Sequence, residues 1–151
     1  MNILKVLTKK RLVGNFGERA AARFLKKKGY RILEKSYVAK GHEIDLIAKD
    51  GDTVVFVEVK SRTLGHENPR EPRPASSVTP EKQRGIITAS RHFMLSKRLK
   101  KRMRYDVIEV YLEDSNDKKR VKEIKHLVGT FDLNTAYSRK HSKDYEERFL
   151  K

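Results

Sequence analysis

The run Thr53-Val54-Val55-Phe56-Val57 reads as a strand and ends in Glu58-Val59-Lys60, with Glu43-Ile44-Asp45 just upstream. Side chains alternate faces along a strand, so Glu58 and Lys60 point the same way as Val54 and Phe56, which look built for a core. A carboxylate and an ammonium leaving a buried face together need partners, because uncompensated buried charge is costly. A divalent metal and a phosphate would satisfy both. The surroundings favour that reading. The chain carries 36 Lys and Arg against 20 Asp and Glu, a net charge of +16. Yet residues 43–58 hold five acids (Glu43, Asp45, Asp50, Asp52, Glu58) and one base, Lys49. Positive charge gathers a polyanion and a few carboxylates hold the metal that works on it. The plainer alternative is a solvated hairpin around Asp50-Gly51-Asp52.

A chain of 151 residues, 37% hydrophobic and 37% charged, fits one domain with a modest core. Cysteine is absent, which excludes disulfides and thiolate chemistry and fits a cytoplasmic protein. The opening Met1 to Leu7 is too short for a secretory apolar region, and no window approaches a membrane span. The simplest partner is an anionic polymer. An anionic membrane comes second, since no segment reads as a clearly amphipathic surface helix.

Residues 1–13 form a basic leader, 14–133 a single domain and 134–151 a charged tail. Apolar residues at Phe16, Ala20, Ala21, Phe24 and Leu25 predict a helix from about Phe16 to Lys28, with Asn15 as its cap and Gly29 at its end. Strands follow over Tyr30–Val38, Glu43–Lys49 and Thr53–Lys60, the last two joined as a hairpin through Asp50-Gly51-Asp52. Leu64 to Pro74 is a proline-rich loop leaving the strand beside Lys60. A second helix starts with Thr79 as cap and Pro80 in its first turn and runs to about Leu95 or Leu99. Tyr105–Leu112 is a fourth strand, and Val121–Val128 is a candidate fifth. The expected class is α/β of the α+β type: helix, three strands, helix, strand, a mixed central sheet flanked by helices rather than a doubly wound fold.

That order, with Asp45 followed by Glu58-Val59-Lys60, resembles the PD-(D/E)xK nuclease superfamily. The chain is more closely similar to the YraN family of small bacterial proteins. The similarity lies in Gly14-Asn15-Phe16-Gly17-Glu18-Arg19-Ala20-Ala21, Glu43-Ile44-Asp45-Leu46-Ile47, Val55-Phe56-Val57-Glu58-Val59-Lys60-Ser61-Arg62 and Tyr105-Asp106-Val107-Ile108, spanning roughly residues 14–131. It implies a restriction-endonuclease-like fold akin to Holliday-junction resolvases, a metal-dependent DNA endonuclease with Mg²⁺ or Mn²⁺ as cofactor, and branched or junction DNA as substrate. Because junction resolvases work as dimers, it also admits a homodimer. Two positions depart from the pattern: Ile44 stands where the superfamily has proline, and His42 where the family has glycine.

Asp45 and Glu58 are the expected metal ligands, since Mg²⁺ takes one or two carboxylates together with water and substrate phosphate. The resemblance adds the Val59 carbonyl as a further oxygen. Lys60 would hold or help deprotonate the attacking water and offset charge in the transition state. Glu18 has two readings. Asn15-Phe16-Gly17-Glu18 has capping-box-like spacing, whereas resolvase-like relatives use a first-helix glutamate to complete the metal site. Glu43 is either solvated or a supporting residue. Lys82 and Gln83, in the first turns of the second helix, are either surface residues or supports of the site. Asp106 reads as structural. Lys97, Arg98, Lys100, Lys101, Arg102 and Arg104 put six bases in eight positions and are the candidate phosphate contacts, reading backbone and shape rather than bases. The alternative is a non-catalytic nucleic-acid-binding protein with a nuclease fold. The histidines (His42, His66, His92, His126, His141) show no ligand-like pairing.

Overall fold

The computed structural model describes residues 3–65 and 78–137, with side chains from residue 14 onward. Most of the Leu64–Pro74 loop and nearly all of the charged tail, with His66 and His141, lie outside the described residues. The element order is α1 (Ile3–Lys27), β1 (Arg31–Ala39), β2 (His42–Asp50), β3 (Thr53–Thr63), α2 (Pro80–Ser96), β4 (Arg102–Ser115), β5 (Lys118–Phe131) and α3 (Leu133–Tyr137). The five strands form one sheet in the order β1-β2-β3-β4-β5. Only the β3–β4 pair is parallel, and α2 is the crossover that such a pair requires. This is the mixed sheet flanked by helices expected from the sequence.

The helix on each face follows from strand alternation. Leu46, Ala48, Val55, Val57, Ile108, Val110 and Leu112 pack on one side with Ala21, Ala22 and Leu25 of α1. Ile44, Ile47, Val54, Phe56 and Val107 pack on the other with Ile86, Ile87, Ala89 and Phe93 of α2. Thr79 caps α2 as expected, its Oγ1 accepting from the Lys82 N–H at 3.2 Å, with Pro80 in the first turn.

Three local expectations need correction. The first helix begins at Ile3, not near Phe16, so Asn15 lies inside it and caps nothing. The capping-box reading of Glu18 falls with that cap. Strands β3, β4 and β5 run further than expected, because polar residues such as Ser61–Thr63 are paired in register with Val110–Leu112. A short helix, α3, follows β5, where the sequence offered no periodic signal.

Two glycines sit inside α1. A Cβ on Gly17 would come within 1.7 Å of Ser61 Oγ and 3.0 Å of Ser61 Cβ, so Gly17 permits the close approach of α1 to β3. A Cβ on Gly14 would meet nothing within 4 Å among the described residues. Helical alanine gains roughly 0.8–1.0 kcal/mol over glycine. Overpacking typically costs about 1–3 kcal/mol. Gly14→Ala should therefore raise the midpoint of thermal unfolding and Gly17→Ala should lower it, measured by circular dichroism. A gain in both would show that α1 does not press on Ser61.

Candidate active site

Asp45 lies where the β2–β3 pairing ends and the β1–β2 pairing skips one position. On one side, the β2–β3 ladder ends at Leu46↔Val57, one pair short of Asp45 and Glu58. On the other, the β1–β2 register pairs Lys35 with Leu46 and Tyr37 with Ile44 but passes over Ser36, whose φ of 48° is left-handed. The alternation slips at the same place: Ile44 and Ile47 both face the α2 side. The Val59 N–H donates to Asp45 Oδ2 at 2.7 Å. A side-chain carboxylate thus takes a strand amide at the point where the two strands part.

Glu58 is buried, 4% exposed, on the α2 side of the sheet. Its Oε1 meets Lys60 Nζ at 3.5 Å and Lys82 Nζ at 3.7 Å. Its Oε2 is buried with no hydrogen-bond partner among the described residues. Burial pushes the Glu58 carboxyl up to about 8; the charge of Asp45 adds to the rise, and Lys82 and Lys60 oppose it. Asp45 is also raised, first by burial, against the Val59 N–H and the charge of Lys82. Glu18 is raised to about 7, by burial first and then by the charges of Asp45 and Glu43. Its carboxyl therefore looks into the same acidic neighbourhood from α1.

No group of three or more His, Asp or Glu side chains converges as a ready-made metal cage among the described residues. The donor set is a pair of carboxylates with Glu18 nearby. That suits Mg²⁺, which commonly takes one or two carboxylates and completes its shell with water and phosphate. The orphaned Glu58 Oε2 is the observation that favours a cation over a purely structural role, since buried polar oxygens rarely lack a partner.

Lys82 is exposed, with its Nζ 3.7 Å from Glu58 Oε1. Gln83 is buried under the first turn of α2, its Nε2 donating to the Val78 carbonyl at 3.0 Å and its Oε1 unpartnered among the described residues. Glu43 is exposed and acts on Asp45 and Glu18 by charge alone. Val59 reaches Asp45 through its N–H. His42 is exposed, and its Nδ1 lies 2.5 Å from where a Cβ on Gly85 of α2 would stand.

Sequence reasoning missed two features. A cavity of about 420 Å³ opens beside Asp45 on the α1 side, lined by Asn15, Glu18, Arg19, Lys35, Ser36 and Leu46. Glu109, fully buried, pairs in register with Lys60 and accepts from the Tyr111 hydroxyl at 3.1 Å. Its place on the same face as Tyr105 and Val107 was the available signal, two-residue alternation putting an acid where an apolar residue is expected.

The basic run lies elsewhere. Arg102 pairs with Thr53, five residues before Glu58 on β3, which is roughly 16 Å along the strand. Lys97, Arg98, Lys100, Lys101 and Arg102 are exposed, and Lys101 also meets Asp52 at 3.5 Å. Arg104 stands apart from them. Its Nε and Nη2 donate to Asp106, Nη1 to Asp50 and Nη2 again to the Tyr30 hydroxyl. Asp106 also accepts from the Gly129 N–H and bonds His126 Nε2 at 2.7 Å. Burial alone would raise the Asp106 carboxyl, but His126, Arg104 and Gly129 together hold it below the usual range. Asp106 is structural, as expected.

The model of the uncharacterised protein family UPF0102 matches residues 17–110. Those bounds include Glu18, Asp45, Glu58, Lys60, Lys82 and Glu109. A UPF0102 protein of Herminiimonas arsenicoxydans is 39% identical over 109 residues, covering 72% of this chain and 85% of its own length. A UPF0102 protein of Caldicellulosiruptor saccharolyticus is 41% identical over 112 residues, covering 72% and 89%. One from Caldanaerobacter subterraneus is 39% identical over 123 residues, covering 81% and 96%. With the matched segment running from the helix that carries Glu18 to the strand that carries Glu109, the chain belongs to the UPF0102 family.

Proposed function

We propose that the protein is a metal-dependent endonuclease that hydrolyses phosphodiester bonds in DNA, with branched or junction DNA as the preferred class. The observation that carries this reading is the half-buried Asp45 beside the buried Glu58 at the parting of β2 and β3, with Lys60 and Lys82 on Glu58 Oε1 and no partner on Oε2 among the described residues. A bound Mg²⁺ or Mn²⁺ would supply Lewis acidity and lower the pKa of water at the scissile phosphate. Asp45 and Glu58 would hold it, and Glu18 would orient water from the α1 side. The Lys60 ammonium would offset charge growing on the phosphate, and Lys82 would screen the carboxylates from the incoming strand. The net charge of +16 draws in the polyanion. No helix among the described residues is long and apolar enough to cross a membrane.

A second reading, a nucleic-acid-binding protein without chemistry, draws support from the same geometry: two lysine ammonium groups already stand beside Glu58 Oε1. Cleavage separates the two. Labelled single-stranded, duplex, flap and four-way-junction DNA should be cut with Mg²⁺ or Mn²⁺ by the wild type and not by Lys60→Ala. Asp45→Asn is the sharper partner variant, because its amide oxygen still accepts from the Val59 N–H while the charge is gone. Loss of cutting in both with DNA binding intact is the expected result. Tight binding without cutting under either metal would leave the binding reading.

Protonation gives an independent test. Glu58 rises from an ordinary 4.5 to about 8, so the folded chain keeps a proton that the unfolded chain releases above pH 4.5. Its contribution to stability is complete below pH 4.5 and is lost as pH rises towards 8. Glu18 acts in the same direction up to about 7. Glu58→Gln should therefore flatten the fall in unfolding midpoint between these limits. Mg²⁺ should raise the wild-type midpoint more at pH 8 than at pH 5, the stabilisation reaching about 2.7 kcal/mol where Mg²⁺ stands at a hundredfold excess over Kd. Unchanged midpoints with Mg²⁺ at pH 8 would remove the metal from the proposal.

A further inference from the structure

At the far end of the sheet from Asp45, Arg31 of β1 sits directly opposite Lys49 of β2, and Lys49 is paired in turn with Val54 of β3. Val54 belongs to the core on the α2 side, so the two cations share that face. Like charges in register across antiparallel strands repel. Beside them is a cavity of about 390 Å³, in the range of roughly 300–1,000 Å³ typical of small-molecule pockets. Its apolar lining is Leu33, Val54, Phe93 and Leu99. Lys97 and Lys101 join Arg31 and Lys49 around it, with Glu34 as the one lining acid. The Asp52 partner of Lys101 has a 96% exposed side chain, so that pair neutralises little. Favourable placement at the C-terminal end of α2 accounts for Lys97. It does not account for the Arg31–Lys49 pair across the sheet.

We propose that this cavity, distinct from the Asp45–Glu58 site, binds one nucleotide unit, the phosphate between Arg31, Lys49, Lys97 and Lys101 and the base against the apolar lining. Four cations around one small cavity call for a phosphate, whose oxygens accept charge-assisted hydrogen bonds from several at once. Leu33 and Leu99 are half-buried and leave apolar surface for the faces of a base, whereas a sulfate-like ion would leave that surface wet. The same chemistry is offered by a free mononucleotide and by a nucleotide within a single strand. The inference rests on the nucleic-acid reading above but not on cleavage.

Isotope-labelled full chain titrated with dAMP, deoxyadenosine, inorganic phosphate and a short single-stranded oligonucleotide, followed by amide resonances, tests it. The expected result is saturable shifts at Leu33, Val54 and Leu99 with dAMP, and much weaker ones with the nucleoside or phosphate. Tighter, competitive binding of the oligonucleotide identifies a strand as the source, and equal or weaker binding identifies the free nucleotide. Lys49→Glu should lower dAMP affinity by about tenfold while leaving the unfolding midpoint unchanged or higher, because it removes a repulsive pair. No shifts at these residues, phosphate binding as tightly as dAMP, or unaltered affinity in Lys49→Glu would overturn the assignment. Cavity shifts in a protein that cuts nothing would refute only the catalytic reading. Cutting without cavity shifts would refute only the cavity.

Discussion

The hydrogen bond from the Val59 N–H to Asp45 Oδ2 holds the candidate site open. Two antiparallel strands that continued in register would pair Asp45 with Glu58 through the backbone. Instead the ladder stops one pair earlier, and the Asp45 side chain takes the amide that the β2 backbone no longer reaches. A partly buried N–H left without an acceptor costs about 1–3 kcal/mol, so this one contact stabilises the parting of the strands. The Ser36 kink on the opposite side lets β1 follow the displaced β2 rather than pull it straight. Asp45 therefore has a structural duty and a place at the candidate centre, and alanine at this position would confound the two.

Two carboxylates in the same sheet are buried in different ways. Asp106 and Glu58 lie on neighbouring strands and are both almost inaccessible. Asp106 has donors for both oxygens from Arg104, His126 and Gly129, and its acidity is strengthened. Glu58 has two ammonium groups beyond 3.4 Å on one oxygen, a second acid alongside and a second oxygen without a partner among the described residues, and its acidity is weakened. A buried acid that is fully satisfied ties elements together. One that is crowded by another acid and half satisfied stores free energy that a bound cation can release.

Strand and helix positions were legible wherever apolar spacing was regular, and so was the nearness of Asp45 to Glu58, because the β2–β3 hairpin brings their stretches of chain together. The start of α1 was not, since Gly14, Asn15 and Gly17 are residues that usually punctuate a helix, and here Gly17 is kept for its close approach to Ser61. The kink at Ser36 left no trace, as serine in an extended run carries no sign of a positive φ. Lys82 was visible as a first-turn residue, but its reach to Glu58 depends on where α2 crosses the sheet. Arg104 shows the limit of reading charge runs: it belongs to the run by position and to the Tyr30–Asp50–Asp106 cluster by contact.

Distance links the two proposed sites. Val54, at the bottom of the basic cavity, precedes Glu58 by four residues on one strand, a separation of roughly 13 Å. Because α2 covers the face between them, with Val54 and Phe56 buried beneath it, a DNA strand that reached both sites would pass around the helix rather than along the sheet. Anchoring at one end then restricts where the strand can lie at the other, which lowers the entropic cost of placing a phosphate beside Asp45 and Glu58. A bare basic surface would attract the same polyanion but leave its register along the face undetermined. The apolar lining of the cavity is what allows this face to fix a position as well as to attract a charge.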